Sequence, residues 1–535
     1  MPPDDARDDL IRTLLRSTAF PWRPTTVELI ETHISWVFLA GDRVVKIKRP
    51  VHFGFVDHST VERRRQSCEE EVRLNRRLTD DVYLGTVPIA RHGDRLVVGA
   101  AGEPFDWATL MRRLPAERML DTLLASASAP DNLGDLLARR LLPFHRHTAG
   151  RCDGATDGSA ASITAIVTGN LDQLREVTGG PIGTLLFALV DEAMRTFLVD
   201  NAQRFRHRVR DGWVRDGHGD LRAEHICLAG GAVQIFDCVE FSPSIRCADI
   251  ASDLAFLLMD LGRLGAEAVA SELEGRYRNA GIDLPTPLVR FYRAHRGLVR
   301  AKIDGLTMAG GLRPHPGLAG EAAAYLDLAA RAALTVHPFL LAMTGLSGTG
   351  KSTVAAAIAR ATGADLISSD VVRKELAGVT GPAAATWGEG LYSAEWHERT
   401  YQHLVTRAAE VLRAGRPVVL DATFLDERWR ARTAGLAGAA AVPFLLVETV
   451  CDDHTAAARI AARAARGDSA SDADLAVYDR QRTMRSSAPV AIPRGAIAVR
   501  VDTNTEGGNR LDPVFAALQG AGVLRPELPA EPAPR

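Results

Sequence analysis

The alternation of apolar and polar positions changes character near residue 338. Upstream, residues 22–120 carry short strand-like runs. SWVFLAG and DRVVKIK, joined at Ala40-Gly41-Asp42, predict an antiparallel hairpin. VERRRQSCEEEVRLNRRL predicts a charged helix. Residues 130–210 read as mostly helical, interrupted by the small polar loop RCDGATDGSAAS. Two strand-like runs follow in HICLAGGAVQIFD, and helical patterns run from about Asp249 to Ala332. A strand of the continuous buried type, FLLAMTG, opens a new unit at about Pro338, and from there strands alternate with helices: FLLAMTG, ADLISSD, RPVVLDATF, VPFLLVETV and AIAVRVDT. That alternation of strands with helices predicts a parallel sheet with helices on both faces. The pattern predicts two domains, 1–335 and 336–522, with a boundary near Thr335–Pro338. A Pro-rich tail, 523–535, is expected to be disordered.

Composition narrows the function classes. With 64 Lys+Arg against 66 Asp+Glu, the formal charge of −2 excludes a broadly basic nucleic-acid surface. No apolar run reaches the roughly 18 residues of a membrane span. The opening MPPDDARDDLIRTLL lacks the basic-then-apolar order of a secretory signal, so a cytoplasmic location is expected. Six cysteines (Cys68, Cys152, Cys227, Cys238, Cys247 and Cys451) show no CxxC spacing and are expected to be reduced thiols. The fifteen histidines show no zinc-ligand spacing. Only five of the 64 basic residues are lysine: Lys46, Lys48, Lys302, Lys351 and Lys374. In so arginine-rich a chain, a retained lysine marks a place where a compact ammonium is preferred to a planar fork.

Lys351 sits in Gly345-Leu346-Ser347-Gly348-Thr349-Gly350-Lys351-Ser352-Thr353, which fits G-x-x-x-x-G-K-[ST] between an apolar strand and a helical pattern. Such a loop curls its N–H groups around phosphates at a helix N-terminus. Lys351 is expected to reach the β- and γ-phosphates of ATP, and Ser352 to ligate Mg²⁺. The next strand ends at Ser368-Ser369-Asp370. Strand carboxyl ends line the ligand crevice of a parallel sheet, so Asp370 is a candidate general base or, alternatively, a helix N-cap. Arg373 is one turn further on and suits an anionic group of the acceptor. Asp421, closing the third strand, is a candidate Mg²⁺ residue. The following Ala422 supplies no second acid, which favours transfer to an acceptor over bare hydrolysis. Arg459, Arg463 and Arg466 share one helix face and suit the charge of a transferring phosphoryl group, or form a solvated basic face.

From Phe339 to about Thr503 the chain resembles the small P-loop kinases that include polynucleotide kinase, gluconate kinase and the zeta-type toxins. The likeness rests on GLSGTGKST, on Asp370-Val371-Val372-Arg373 and on Arg459 with Arg463. In that group the strand-end Asp is the base and the lid arginines bridge the phosphates.

Upstream, His218-Gly219-Asp220-Leu221-Arg222-Ala223-Glu224-His225 and Val233-Gln234-Ile235-Phe236-Asp237 resemble the catalytic and metal-binding loops of aminoglycoside-phosphotransferase-like and protein kinases. The resemblance implies Asp220 as base, Asp237 on Mg²⁺, and a strand lysine, Lys46, paired with Glu70 or, better by helical pattern, Glu71. Asp249 and Asp253 match a supporting pattern and are expected to cap and orient the catalytic loop. His225 stands at the family's second metal position in place of Asn, and imidazole is a poorer Mg²⁺ ligand than an amide oxygen. No glycine-rich phosphate loop is evident; THISWVFLAG is the nearest candidate.

Kinase-like half first and P-loop half second, the chain resembles a bacterial family of two-domain fusions. That implies an α+β protein-kinase-like domain followed by an α/β P-loop domain with a three-layer parallel sheet. It also implies ATP and Mg²⁺ as cofactors and a small-molecule or nucleotide acceptor. The leading expectation is an ATP-Mg²⁺-dependent phosphotransferase acting on a hydroxyl, with the P-loop half the surer catalyst. The alternative is an ATP-binding regulatory protein with a degenerate kinase-like domain. The oligomeric state is not legible.

Overall fold

The computed structural model describes residues 4–53, 56–93, 95–148, 150–152, 159–310, 317–378, 393–466, 475–484, 490–504 and 507–529. They form two compact units: Met1–Ala165 with Asn201–Tyr292, and Ile166–Asp200 with Arg293–Arg535.

In the first unit, β1 (Val27–Glu31), β2 (Ser35–Ala40), β3 (Arg43–Lys48), β4 (Tyr83–His92), β5 (Arg95–Val98) and β6 (Pro104–Arg112) build an antiparallel sheet in the order β1-β2-β3-β6-β4-β5. The expected hairpin is β2–β3, turning at Gly41, whose φ of +68° suits a residue without Cβ. The charged run forms α1 (Val61–Asn75), capped by Thr60, whose side chain accepts from Arg63 N–H. Arg64 on α1 is buried and binds Asp106 of β6, which pins the helix to the sheet. Trp36, Phe38, Val45, Ile47, Ile89 and Ala108 alternate into the core on the sheet's other side, as period-2 strands require.

Below that sheet, β7 (Gly150–Arg151), β8 (Val214–Asp216), the hairpin β9 (Ile226–Ala229) and β10 (Ala232–Ile235), β11 (Cys247–Asp249) and α2 (Ile250–Arg263) frame the HGD loop. β7 and β11 both pair with β8, and this brings Cys152 to Cys247 in a disulfide. The expectation of six reduced thiols is therefore corrected at these two positions. A sequence separation of 95 with no paired spacing left no signal for it. Cys68, Cys227, Cys238 and Cys451 are free.

In the second unit, β12 (Leu340–Thr344), α3 (Lys351–Thr362), β13 (Asp365–Ser368), α4 (Ser369–Ala377), α5 (Ala394–Arg413), β14 (Val418–Asp421), β15 (Phe444–Val450), α6 (Asp453–Arg466), α7 (Leu475–Met484) and β16 (Ile497–Asp502) follow the expected alternation. The sheet is parallel, in the order β13-β14-β12-β15-β16. Central β12 is buried along its whole length, matching its unbroken apolar run. Residues 523–529, part of the tail expected to be disordered, are ordered: Leu524–Arg525 pairs with Thr335–Val336, and Val523 and Leu524 are buried. Apolar Val-Leu ahead of the prolines supplies the anchoring surface that a Pro-rich composition hid. Among the described residues no helix is long and apolar enough to cross a membrane.

Candidate active sites

The first unit gathers a buried chain of alternating charges. In β3, Lys46 and Lys48 are two residues apart and project to one face. Glu71 on α1 takes both: Oε1 lies 2.8 Å from Lys46 Nζ, and Oε2 lies 2.8 Å from Lys48 Nζ and accepts from Thr109 at 3.1 Å. Lys46 also reaches Asp237 Oδ1 at 2.5 Å, and Lys48 reaches Glu240 at 2.5 Å. Burial works against the charge on Lys46, but Asp237, Glu71 and Glu240 outweigh it and hold its pKa well above the usual lysine value. Burial likewise opposes the Asp237 carboxylate, and Lys46 with His225 overcome it, leaving its pKa far below the usual range. Glu70 instead turns to Arg73. Lys48 and Glu240 escaped the sequence argument. The signal was present: a lysine at i+2 in a strand, in a chain with five.

The HGD loop is held from α2. Asp253 accepts from the N–H groups of His218 (2.8 Å) and Gly219 (2.9 Å) and is met by His145 at 3.0 Å, and Asp260 accepts from Ala223 N–H at 2.9 Å. Asp249 caps α2 and pairs with buried Arg208. Asp220 is forked by Arg222 through both carboxylate oxygens, at 3.0 and 3.1 Å. His225 lies between the two loop acids. Its Nδ1 is 3.7 Å from Asp220 Oδ2 and its Nε2 3.6 Å from Asp237 Oδ2. THISWVFLAG provides β2 and the turn before it. In place of glycines, Thr32 closes that turn by bonding Ser35 N–H at 2.9 Å.

In the second unit, the phosphate-loop sequence joins β12 to α3. Gly345 and Gly348 have φ of +140° and +78°. A Cβ at Gly345 would stand 2.6 Å from Thr449 O, and one at Gly348 would stand 2.8 Å from Ala456 O on α6. The loop is thus wedged between β15 and the arginine helix, and only glycine fits. Lys351 Nζ donates to Leu346 O at 2.7 Å, curling over the loop. Burial lowers its pKa to about 8 against the pull of Asp421 and Asp370, with Arg463 adding to the fall. Burial raises the Asp421 carboxyl, and the neighbouring Ser352 hydroxyl and Lys351 ammonium pull it back. The two residues expected at the metal therefore meet, and their oxygen-only donor set suits Mg²⁺.

Asp370 lies in the first turn of α4, with Ser368 at the N-cap position, so it is not the cap. Its Oδ1 accepts from Arg373 at 2.6 Å. Arg459 stands beside Gly350 and is engaged by Thr503, at 2.8 Å to Oγ1 and 2.7 Å to the carbonyl. Thr503 in turn bonds Thr349 O at 3.0 Å. The side chain of Arg466 lies outside the described residues. Unforeseen from sequence, Gln481 on α7 accepts from Ser347 N–H at 2.8 Å, while Tyr478 packs with Leu346, Ala456 and Ile460.

A family model described as "AAA domain" matches residues 340–487, which hold this loop and the strands β12 to β15. Rv2004c, an uncharacterized protein of Mycobacterium tuberculosis, is 34% identical over 461 residues, which cover 84% of this chain and 89% of that protein. The chain belongs to the Rv2004c family. In this chain the AAA-domain match falls within the second unit. Among solved structures, the GDP complex of aminoglycoside 2'-phosphotransferase-IIIa is 17% identical, with a TM-score of 0.37, covering 60% of this chain and 98% of its own. A gluconokinase from Sinorhizobium meliloti 1021 is 22% identical, with a TM-score of 0.24, covering 35% and 93%. Both scores are low, and the two strand orders define the folds of this Rv2004c relative without them.

Proposed function

We propose that the chain is an ATP- and Mg²⁺-dependent phosphotransferase that moves the γ-phosphate to a hydroxyl of a small molecule or nucleotide, with its second unit as the catalyst. The observation that carries this is the convergence of Lys351, Ser352 and Asp421 on a loop whose Gly345 and Gly348 leave no room for a Cβ. Mg²⁺, held through Ser352 and Asp421, would neutralise developing phosphate charge. Asp370 accepts the hydroxyl proton, oriented by Arg373. Lys351 leaves the Leu346 carbonyl for the phosphates, and Arg463 adds positive charge on the same side.

A second reading has the first unit bind ATP as a sensor without transferring phosphate. The Arg222 fork on both oxygens of Asp220 favours it, since the candidate base is already engaged. A metabolite-extract screen with γ-labelled ATP separates the two. Label transfer by the intact chain and by Lys46→Ala, but not by Lys351→Ala, is expected. No transfer by the intact chain would favour the sensor.

A further inference from the structure

Cys152 and Cys247 stand on either side of the contacts that hold the HGD loop. Upstream of Cys152, the turn Phe144–Thr148 carries His145, which meets Asp253 at 3.0 Å and the Tyr277 hydroxyl at 2.7 Å. Asp253 is the carboxylate that takes the N–H groups of His218 and Gly219. Phe144 packs against Arg77, 5.2 Å from its ring centroid, and Arg77 donates to the carbonyls of Asp216 and Gly217. On the other side, Cys247 follows buried Arg246. The Arg246 carbonyl accepts from Gly217 N–H at 3.0 Å, and its guanidinium joins Asp216 to the carbonyls of Val239 and Glu240. β11 then leads into α2 and back to Asp253. The disulfide therefore closes a ring through Cys152, His145, Asp253 and Cys247, with the HGD loop hung from Asp253.

This bond differs from a buried staple. Both half-cystines are partly exposed to solvent, and exposed disulfides are the reducible ones. The unit's other cysteines, Cys68, Cys227 and Cys238, are buried, and burial pushes their thiols up to about 12, 11 and 12, which leaves them poor nucleophiles. β7 is two residues long and meets β8 only through Arg151 with Arg215 and Gly150 with Asp216, so its ladder alone is a weak anchor.

We propose that the Cys152–Cys247 disulfide is a reversible redox site that sets the order of the HGD loop, and with it nucleotide affinity at the first unit. A dithiol reductant supplies the electrons. One of its thiolates attacks a cystine sulfur, the S–S bond breaks, and the other cysteine leaves as a thiolate. The reductant's second thiol then displaces the first cysteine from the mixed disulfide. Two electrons and two protons pass to the protein, giving two cysteine thiols and the reductant as its disulfide. Reduction opens the ring, the His145–Asp253 contact loses its covalent support, and the loop amides exchange more freely. The nucleotide consequence rests on ATP binding by the first unit and is independent of which unit transfers phosphate.

Amide hydrogen exchange of the full chain without nucleotide, oxidised and after treatment with dithiothreitol, tests it. Alkylation of the native reduced protein should mark Cys152 and Cys247 and leave Cys68, Cys227 and Cys238 unmarked. Residues 217–225 should then exchange roughly tenfold faster, residues 345–352 at an unchanged rate, and reoxidation should restore the slow form. The double variant Cys152→Ser, Cys247→Ser should exchange fast and ignore dithiothreitol; the wild-type comparison stands without it if that variant fails to fold. ADP affinity of the Lys351→Ala form should fall about tenfold on reduction. A disulfide that resists dithiothreitol in the native chain, or a reduced chain with unchanged exchange at 217–225, would overturn the proposal. Because exchange is read without nucleotide, a first unit that binds no ADP in either redox state would reject the nucleotide consequence alone.

Discussion

Lys46 and Lys351 are offered the same task, holding the phosphates of a nucleotide, in opposite electrostatic settings. Lys46 is embedded among Glu71, Asp237 and Glu240, and its charge is over-compensated before any ligand arrives. Lys351 donates to a backbone carbonyl and has a pKa drawn down by burial to about 8. The first site is built from side chains reaching across a sheet, a helix and a hairpin. The second is built from main chain, with glycines clearing the space. A side-chain site depends on several residues far apart in sequence, each a buried charge that needs its partner. A main-chain site is compact in sequence and intolerant of a single methyl group.

The largest expected effect attacks the side-chain site. Glu240→Ala leaves Lys48 buried with Glu71 as its remaining carboxylate, shared with Lys46. Removing one partner of a buried pair costs about 3–5 kcal/mol. Urea unfolding should show this, and a loss below about 1 kcal/mol would mean that water reaches Lys48. Gly348→Ala attacks the main-chain site. Its new Cβ would press on Ala456 O, so α6 must shift at a cost of about 1–3 kcal/mol. ATP affinity should fall; an unchanged affinity would show that the loop opens easily.

These contrasts also explain what could be read in advance. The P-loop was legible because its chemistry lies within nine consecutive residues and its flanks announce strand and helix. The parallel sheet was legible from the alternation of strand-like runs with helices, and its central strand from the unbroken apolar run FLLAMTG. Glu71 could be favoured over Glu70 from helical periodicity, because one face of α1 must turn to the sheet. Glu240, Arg222 and Gln481 were opaque, since each matters through a partner that only the folded chain supplies. The Cys152–Cys247 pairing was opaque for the same reason.

A smaller effect reads the protonation of Lys351. With its folded pKa near 8 and the usual value at 10.5, the unfolded chain holds more protons between those limits, so this group makes stability rise with pH across that window. Phosphate binding favours the charged amine. ATP binding at the second unit should therefore take up protons between about pH 8 and 10 and weaken as pH rises. Calorimetry in buffers of different ionisation enthalpy measures the uptake; none, or release, would contradict the lowered pKa.

The most direct test is an ATP titration of the full chain, in the presence of Mg²⁺, against its Lys351→Ala form with Lys46 intact. The account predicts that the variant loses the P-loop site from the binding stoichiometry, together with γ-phosphate transfer. Unchanged stoichiometry and unchanged transfer would contradict it.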